Sequence, residues 1–228
     1  MKIWPSMEQR SEAWFRARAG RLTASNFHRV LTPSGKDSSQ WRELAIEMCC
    51  SRIRPDEIQW EGNRHTDRGE ELEPEAREEF SRIMGLEVEQ VGFIVQDNEL
   101  VGCSPDGMIK INGQYAAGVE LKCPLAKNHA EYLLDGVLPG QYKAQVHGSM
   151  IVTGLPYWYF MSYCRRLKPL ILRVERDSYT DTLQDALERF IIYYADVYKR
   201  IMPILSEGQK PTLQDLACIH HQPLFRKS

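Results

Sequence analysis

Apolar residues recur at helical spacing through the first third of the chain. Residues 11–19 carry Trp14, Phe15 and Arg18, and Gly20 closes this predicted helix. Thr23 or Ser25 is placed to cap a short helix reaching Leu31, and the run Thr32-Pro33-Ser34-Gly35-Lys36-Asp37 reads as a loop. Residues 41–52 form another predicted helix. Over residues 66–84, Leu72, Ala76, Phe80 and Ile83 return in steps of three and four, defining one apolar face of a long acidic helix that Gly85 ends.

Beyond residue 87 the period shortens toward two. Residues 88–96 read as a strand, with short strands over 100–103 and 108–111. Asn112-Gly113 is a hairpin turn, residues 117–122 form the returning strand, and Pro124 ends it because proline has no backbone donor. Helices are predicted over 127–134 and 140–152, strands over 157–164 and 170–175. A long helix over 177–205 has Leu183, Leu187, Phe190, Ile191 and Tyr194 on its apolar side. This order predicts an α/β fold with a central mixed β-sheet flanked by helices on both faces. The 228 residues suit a single domain, 1–228, with a C-terminal tail from about residue 207.

Composition excludes some classes. No apolar run is long enough to cross a bilayer, and the first eleven residues lack an export pattern, so a cytoplasmic protein is expected. The six cysteines form no CxxC pair, which argues against a structural zinc site and a disulfide framework. Cys218 with His220 and His221 lacks a second half-site and reads as part of the tail. The net charge of −2 is unlike that of many nucleic-acid binders, yet a cleft can gather basic groups while the remaining surface stays acidic.

The chemically informative segment is Ser104-Pro105-Asp106-Gly107 followed by Val119-Glu120-Leu121-Lys122. Alternate strand residues share a face, so Glu120 and Lys122 project together while Val119 and Leu121 enter the core. The hairpin through Asn112-Gly113 can bring Asp106 beside Glu120. Two carboxylates and the Leu121 carbonyl would then offer hard oxygen ligands to Mg²⁺. Lys122 would orient an attacking water, or take its proton if neighbours depress its pKa. The plainer reading is a turn at Asp106 and an incidental ion pair on a solvated strand. The combination of an Asp after Pro, a hairpin, and a strand that is apolar apart from Glu and Lys favours phosphodiester hydrolysis.

Asp followed by Glu-x-Lys resembles the PD-(D/E)xK nuclease superfamily, which has a restriction-endonuclease-like fold. More of the chain resembles the phage lambda exonuclease, or YqaJ-type viral recombinase, family. The matching blocks are Trp14-Phe15-Arg16-Ala17-Arg18, Leu22-Thr23-Ala24-Ser25, the helix from Gly69 to Ala76, Cys103 to Gly107, Glu120 to Pro124, and Ala144-Gln145-Val146. They stand in the family's order over roughly residues 10 to 175. The resemblance implies a Mg²⁺-dependent enzyme, with Mn²⁺ as a substitute. It implies digestion of one strand of duplex DNA from its 5′ end, leaving a 3′ single-stranded tail. It also implies a ring-shaped homotrimer, a single-strand annealing protein as partner, and a phage or prophage origin in a bacterial cell.

Carried over residue by residue, the resemblance makes Arg18 and Ser25 a phosphate pocket. It places Glu73 near the metal and Gln145 near the scissile phosphate, and matches Asp97 to a further acidic position across a one-residue gap. Each has a plain alternative: Arg18 a surface arginine, Ser25 a helix cap, Glu73 one of many solvated glutamates, Gln145 a solvent-facing amide, Asp97-Asn98 a turn. Two departures stand out. Residues 64–68, Arg-His-Thr-Asp-Arg, hold no apolar wedge for splaying the duplex, which leaves Trp60 as a candidate. The loop around Lys36 lacks an arginine, so Lys36 is assigned that charge on the DNA path. Competing readings are an endonuclease of the same superfamily, a catalytically inactive DNA-binding protein, and a hydrolase of small phosphates.

Overall fold

The computed structural model describes residues 1–55 and 64–205. The α/β class holds, but the strands divide between two mixed sheets. The first has the order β1-β4-β5-β2, built from Lys2–Trp4, Phe93–Val95, Val101–Cys103 and Leu22–Thr23. The second has the order β3-β6-β7-β8-β9, built from Val88–Glu89, Gly107–Ile111, Gln114–Lys122, Tyr157–Ser162 and Leu170–Glu175. Only β2–β5 and β7–β8 are parallel pairs.

The strand expected over residues 88–96 is therefore two strands in different sheets. Gly92 lies at the break. A Cβ there would stand 2.0 Å from the carbonyl oxygen of Met7, so the N-terminal segment can lie against this backbone only because residue 92 has no side chain. The Gly92 amide donates to the Trp4 carbonyl at 3.2 Å. β1 then continues along β4, with Ile3 opposite Ile94.

The helices are α1 (Glu12–Arg18), a 3-10 helix (Ala24–Arg29), α2 (Trp41–Ile53), α3 (Arg64–Met84), α4 (Ala126–Asp135), α5 (Gly140–Thr153) and α6 (Ser178–Leu205). Ser11 caps α1 by accepting from the Trp14 amide. Gly136 and Gly154 end α4 and α5 in the left-handed conformation. Thr23 precedes the 3-10 helix without a capping hydrogen bond.

Helices cover both faces of the five-stranded sheet. On one face, Ala76 and Phe80 of α3 pack on Ile109, Ala117, Val119, Leu121 and Met161. Ile83, expected on this apolar face, is exposed instead. On the other face, Trp158 and Phe160 join the larger core with α2, α5, α6 and the 3-10 helix, including all five apolar residues expected on the closing helix. β7 and β8 fit closely because Gly118 lies opposite Trp158, whose ring occupies the space a Cβ at 118 would need. The predicted tail from residue 207, Cys218, His220, His221 and Trp60 lie outside the described residues.

Candidate active site

Asn112 and Gly113 both have positive φ, 53° and 80°, as a tight two-residue hairpin demands. The hairpin aligns Gly107 with Val119, so Asp106, one residue before β6, meets the level of Glu120. The Asp106 carboxylate accepts from the Leu121 amide at 2.7 Å. Val119 and Leu121 are buried on the α3 side, and Glu120 with Lys122 faces the opposite side. The convergence expected from strand alternation is present.

Glu120 is 1% exposed. Its Oε1 accepts from Gln145 Nε2 at 2.6 Å and pairs with the Lys122 ammonium. Its Oε2 is buried and has no hydrogen-bond partner. Burial, then the nearby Asp106 charge, raises the Glu120 carboxyl well above the ordinary range. Lys122 is itself buried enough for desolvation to oppose its charge, yet Glu120 and Asp106 outweigh that effect and raise its pKa. In the cation-free protein the neighbours thus shift Lys122 in the direction opposite to the depression that proton abstraction requires. Its ammonium also lies 5.5 Å above the Tyr142 ring.

Glu73 on α3 belongs to the same electrostatic cluster. Burial and Asp106 raise its pKa, while Arg77, Arg10 and Lys122 oppose the rise. One carboxylate oxygen pairs with Arg77, and the other lies 3.6 Å from Arg10. Among the described residues, no group of three or more His, Cys, Asp or Glu is drawn together as a ready metal cage. The reason is visible in the pairings, since Glu73 is held by arginines and Glu120 by Lys122 and Gln145.

Three oxygen sources nonetheless fit a hard cation: Asp106, the unpartnered Oε2 of Glu120, and the Leu121 carbonyl. The Lys122 carbonyl is taken by the Tyr163 amide on the β8 side. Alternation turns the Leu121 amide and carbonyl to the other side of β7, where Asp106 receives the amide and β6 has already ended. Pro124 stops the strand at this point, and Arg68 of α3 donates to its carbonyl at 2.8 Å.

A second polar arrangement lies at the end of α1. Arg18 donates to Ser104 Oγ at 3.0 Å, Thr23 Oγ1 at 3.1 Å and Ser25 Oγ at 3.0 Å. Its guanidinium stacks 4.2 Å over the Trp14 ring, and Trp14 itself donates to Ser104. Burial lowers the Arg18 pKa to about 10, which still leaves it charged near neutrality. A half-buried cation surrounded by neutral hydroxyls is suited to an anionic guest. Ser104 links this pocket to Asp106 two residues later.

Two expected site residues lie elsewhere. Asp97 sits in the β4–β5 turn, at the opposite end of β5 from Asp106, and its carboxylate pairs with the Met1 ammonium. The resemblance matches Asp97 to an acidic position of the family, and here the short β5 strand separates it from Asp106. Lys36 is exposed on the loop between the 3-10 helix and α2, where Gly35 rests against Thr182 of α6. No contact joins it to the acidic trio among the described residues. His147, expected to be a packing residue, is buried and bonds Thr180 at 2.7 Å.

Sequence reasoning assigned no role to Gln9, Arg10, Arg77 or Tyr142, and gave Thr23 only a capping one. Arg77 follows Glu73 by one helical turn, a spacing that could have flagged it. The N-terminal pair offers no local signal.

Comparison with known proteins adds relationship to this geometry. A model of the YqaJ-like viral recombinase domain matches residues 13–156. An alkaline exonuclease from Laribacter hongkongensis is similar in structure, with 28% identity and a TM-score of 0.68 over 86% of this chain and 100% of the other. The same enzyme in complex with dAMP gives 29% identity and a TM-score of 0.72 over the same shares, 86% and 100%. A phage-related exonuclease from Haemophilus somnus 129PT, 15% identical over 79% of this chain and 96% of that one, shares the fold with a TM-score of 0.62. No curated relative matches by sequence.

Proposed function

The chain belongs to the YqaJ-like viral recombinase domain family, and from that premise we propose that it is a Mg²⁺-dependent 5′→3′ exonuclease. In this reading it digests one strand of linear double-stranded DNA and leaves 3′ single-stranded tails for recombination by strand annealing. The observation that carries the reading is the buried, unpartnered Oε2 of Glu120 beside Asp106 and Lys122. A carboxylate oxygen without a donor in a desolvated site is costly unless a cation completes it.

Asp106, Glu120 and the Leu121 carbonyl would hold the ion. When bound, Mg²⁺ supplies Lewis acidity at the scissile phosphate. Lys122, held charged by its two acidic neighbours, orients the attacking water and offsets phosphoryl charge. Gln145 fixes one oxygen of Glu120 and leaves the other for the ion. Arg18, with Ser25, Thr23 and Ser104, would receive the terminal 5′ phosphate. Water adds to phosphorus and gives up a proton, the bond to O3′ breaks with O3′ taking up a proton, a 5′-mononucleotide leaves, and the attacked phosphate stays as the new 5′ end. The Laribacter relative was crystallised with a compound of that class, dAMP.

The proposal extends to a ring-shaped homotrimer, an annealing-protein partner, and work inside a bacterial cell on behalf of a phage or prophage. No helix among the described residues is long and apolar enough to cross a membrane. The test is digestion of a linear duplex labelled separately at each 5′ and 3′ end, with Mg²⁺ or EDTA, beside a closed circle. Release of 5′ label first, only with Mg²⁺ and only from the linear form, is expected. Cutting of the circle would replace this reading with an endonuclease.

A further inference from the structure

The Asp106 carboxylate depends on a turn that no sheet ladder holds. β5 ends at Cys103 and β6 begins at Gly107, so Pro105 and Asp106 lie between strands. Two side chains from remote parts of the chain take up their carbonyls. Gln9 Nε2 donates to the Pro105 carbonyl at 2.9 Å and to the Val91 carbonyl at 3.0 Å. Arg77 Nε donates to the Asp106 carbonyl at 3.1 Å.

We propose that Gln9 and Arg77 are positioning residues that clamp the Pro105–Asp106 turn and thereby aim the Asp106 carboxylate at the cation site. The inference rests on the nuclease reading for its consequence, and on these hydrogen bonds for its geometry. Both clamps are anchored in turn. Arg77 pairs with Glu73, and the Gln90 amide is placed to accept from the same guanidinium at 2.9 and 3.0 Å. Gln9 is carried on a segment fixed by β1 on β4 and by the close approach of Met7 to Gly92. Residue 9 also precedes the stretch, 13–156, that matches the family model, so half of the clamp lies outside that match.

A carboxylate held at its backbone by two donors and at Oδ2 by the Leu121 amide has little freedom to swing. Release of either backbone hold lets the turn relax and blurs a ligand that must be placed closely. A role limited to stability predicts something else, namely a lower melting temperature with unchanged cation binding in the protein that remains folded.

The test uses Gln9→Leu, which keeps volume and removes both donors. Its companion is Arg77→Lys, which keeps a cation for Glu73 and removes the Nε donor. Mn²⁺ affinity is read by calorimetry without DNA, alongside kcat, KM for linear duplex, and melting temperature. About a tenfold or greater loss of Mn²⁺ affinity is expected, in the range for removing a support of a metal ligand. kcat should fall at low Mg²⁺ and recover at high Mg²⁺, with KM for DNA unchanged. Gln9→Asn, too short to reach both carbonyls, replaces Gln9→Leu if that variant does not fold, and the same losses are expected. Wild-type Mn²⁺ affinity and Mg²⁺ dependence in folded variants overturn the clamp, as does failure of all three to fold, which would make the role structural. A wild-type protein that binds Mn²⁺ yet cleaves no DNA would sink the nuclease reading instead, and the clamp would still be judged on affinity.

Discussion

Removing the Arg18 guanidinium should abolish the preference for a 5′-phosphorylated end. The guanidinium has five N–H donors. Three are directed at Ser104, Thr23 and Ser25, and two have no assigned acceptor among the described residues. A terminal phosphate is close to a dianion at neutral pH, whereas a terminal hydroxyl is neutral. Each charge-assisted hydrogen bond contributes about 1.5–3 kcal/mol. Allowing for partial solvent access, a pair of them gives roughly 3 kcal/mol, or about a hundredfold in kcat/KM. Arg18→Met is the suitable change because its thioether can remain stacked on Trp14, where the guanidinium now lies at 4.2 Å. The assay compares kcat/KM for 5′-phosphoryl and 5′-hydroxyl duplexes, wild type against variant. The wild-type ratio should collapse toward one, with the hydroxyl substrate nearly unaffected. Arg18→Lys should lie between, since an ammonium keeps the charge without the fork. A folded Arg18→Met protein that retains the wild-type ratio refutes the assignment.

Two further outcomes follow from the same structure. Burial and Asp106 move the Glu120 carboxyl from 4.5 to about 8, so the cation-free folded state keeps a proton that the unfolded chain has lost. Stability in EDTA should therefore fall as pH rises between those values, by on the order of 4 kcal/mol at most. Glu120→Gln should flatten that slope, and Mg²⁺ should offset it in the wild type only; denaturant midpoints at pH 5.5 and 8 would expose the opposite behaviour. Gly148→Ala should destabilise by about 1–3 kcal/mol or more, because its Cβ would stand 2.0 Å from the Phe27 ring, forcing α5 away from the 3-10 helix. A thermal melt unchanged from wild type would show that this approach is slack.

The regular elements and the trio Asp106, Glu120 and Lys122 were readable because their signals are local. The apolar spacing of Leu72, Ala76 and Phe80 marks the buried side of α3, and Asn112-Gly113 sets the register that joins Asp106 to Glu120. Ile83 shows the limit, since periodicity places it on the apolar face while the fold leaves it exposed. The split between β3 and β4 was hidden because it depends on Met7 approaching Gly92 across the fold. β1 was hidden for a related reason: its only justification is a partner strand at 93–95. The direction of the Lys122 shift required knowing that Glu120 and Asp106 together outweigh its own burial, which Glu-x-Lys does not encode. Asp97 and Lys36 rest on the resemblance alone: β5 stands between Asp97 and Asp106, and Lys36 lies on an exposed loop.

The grip of Gln9 on Pro105 joins residues 96 positions apart, whereas the carboxylate contact it supports spans only 15. During synthesis the N-terminal segment must wait until residues 91–105 have been made before it finds its partners, so this alignment cannot be local. A chain interrupted before residue 105 would hold Gln9 and Arg77 without the turn that they grip. Long-range closure of this kind makes the first dozen residues a poor site for a fusion tag, even though they contribute no reactive group.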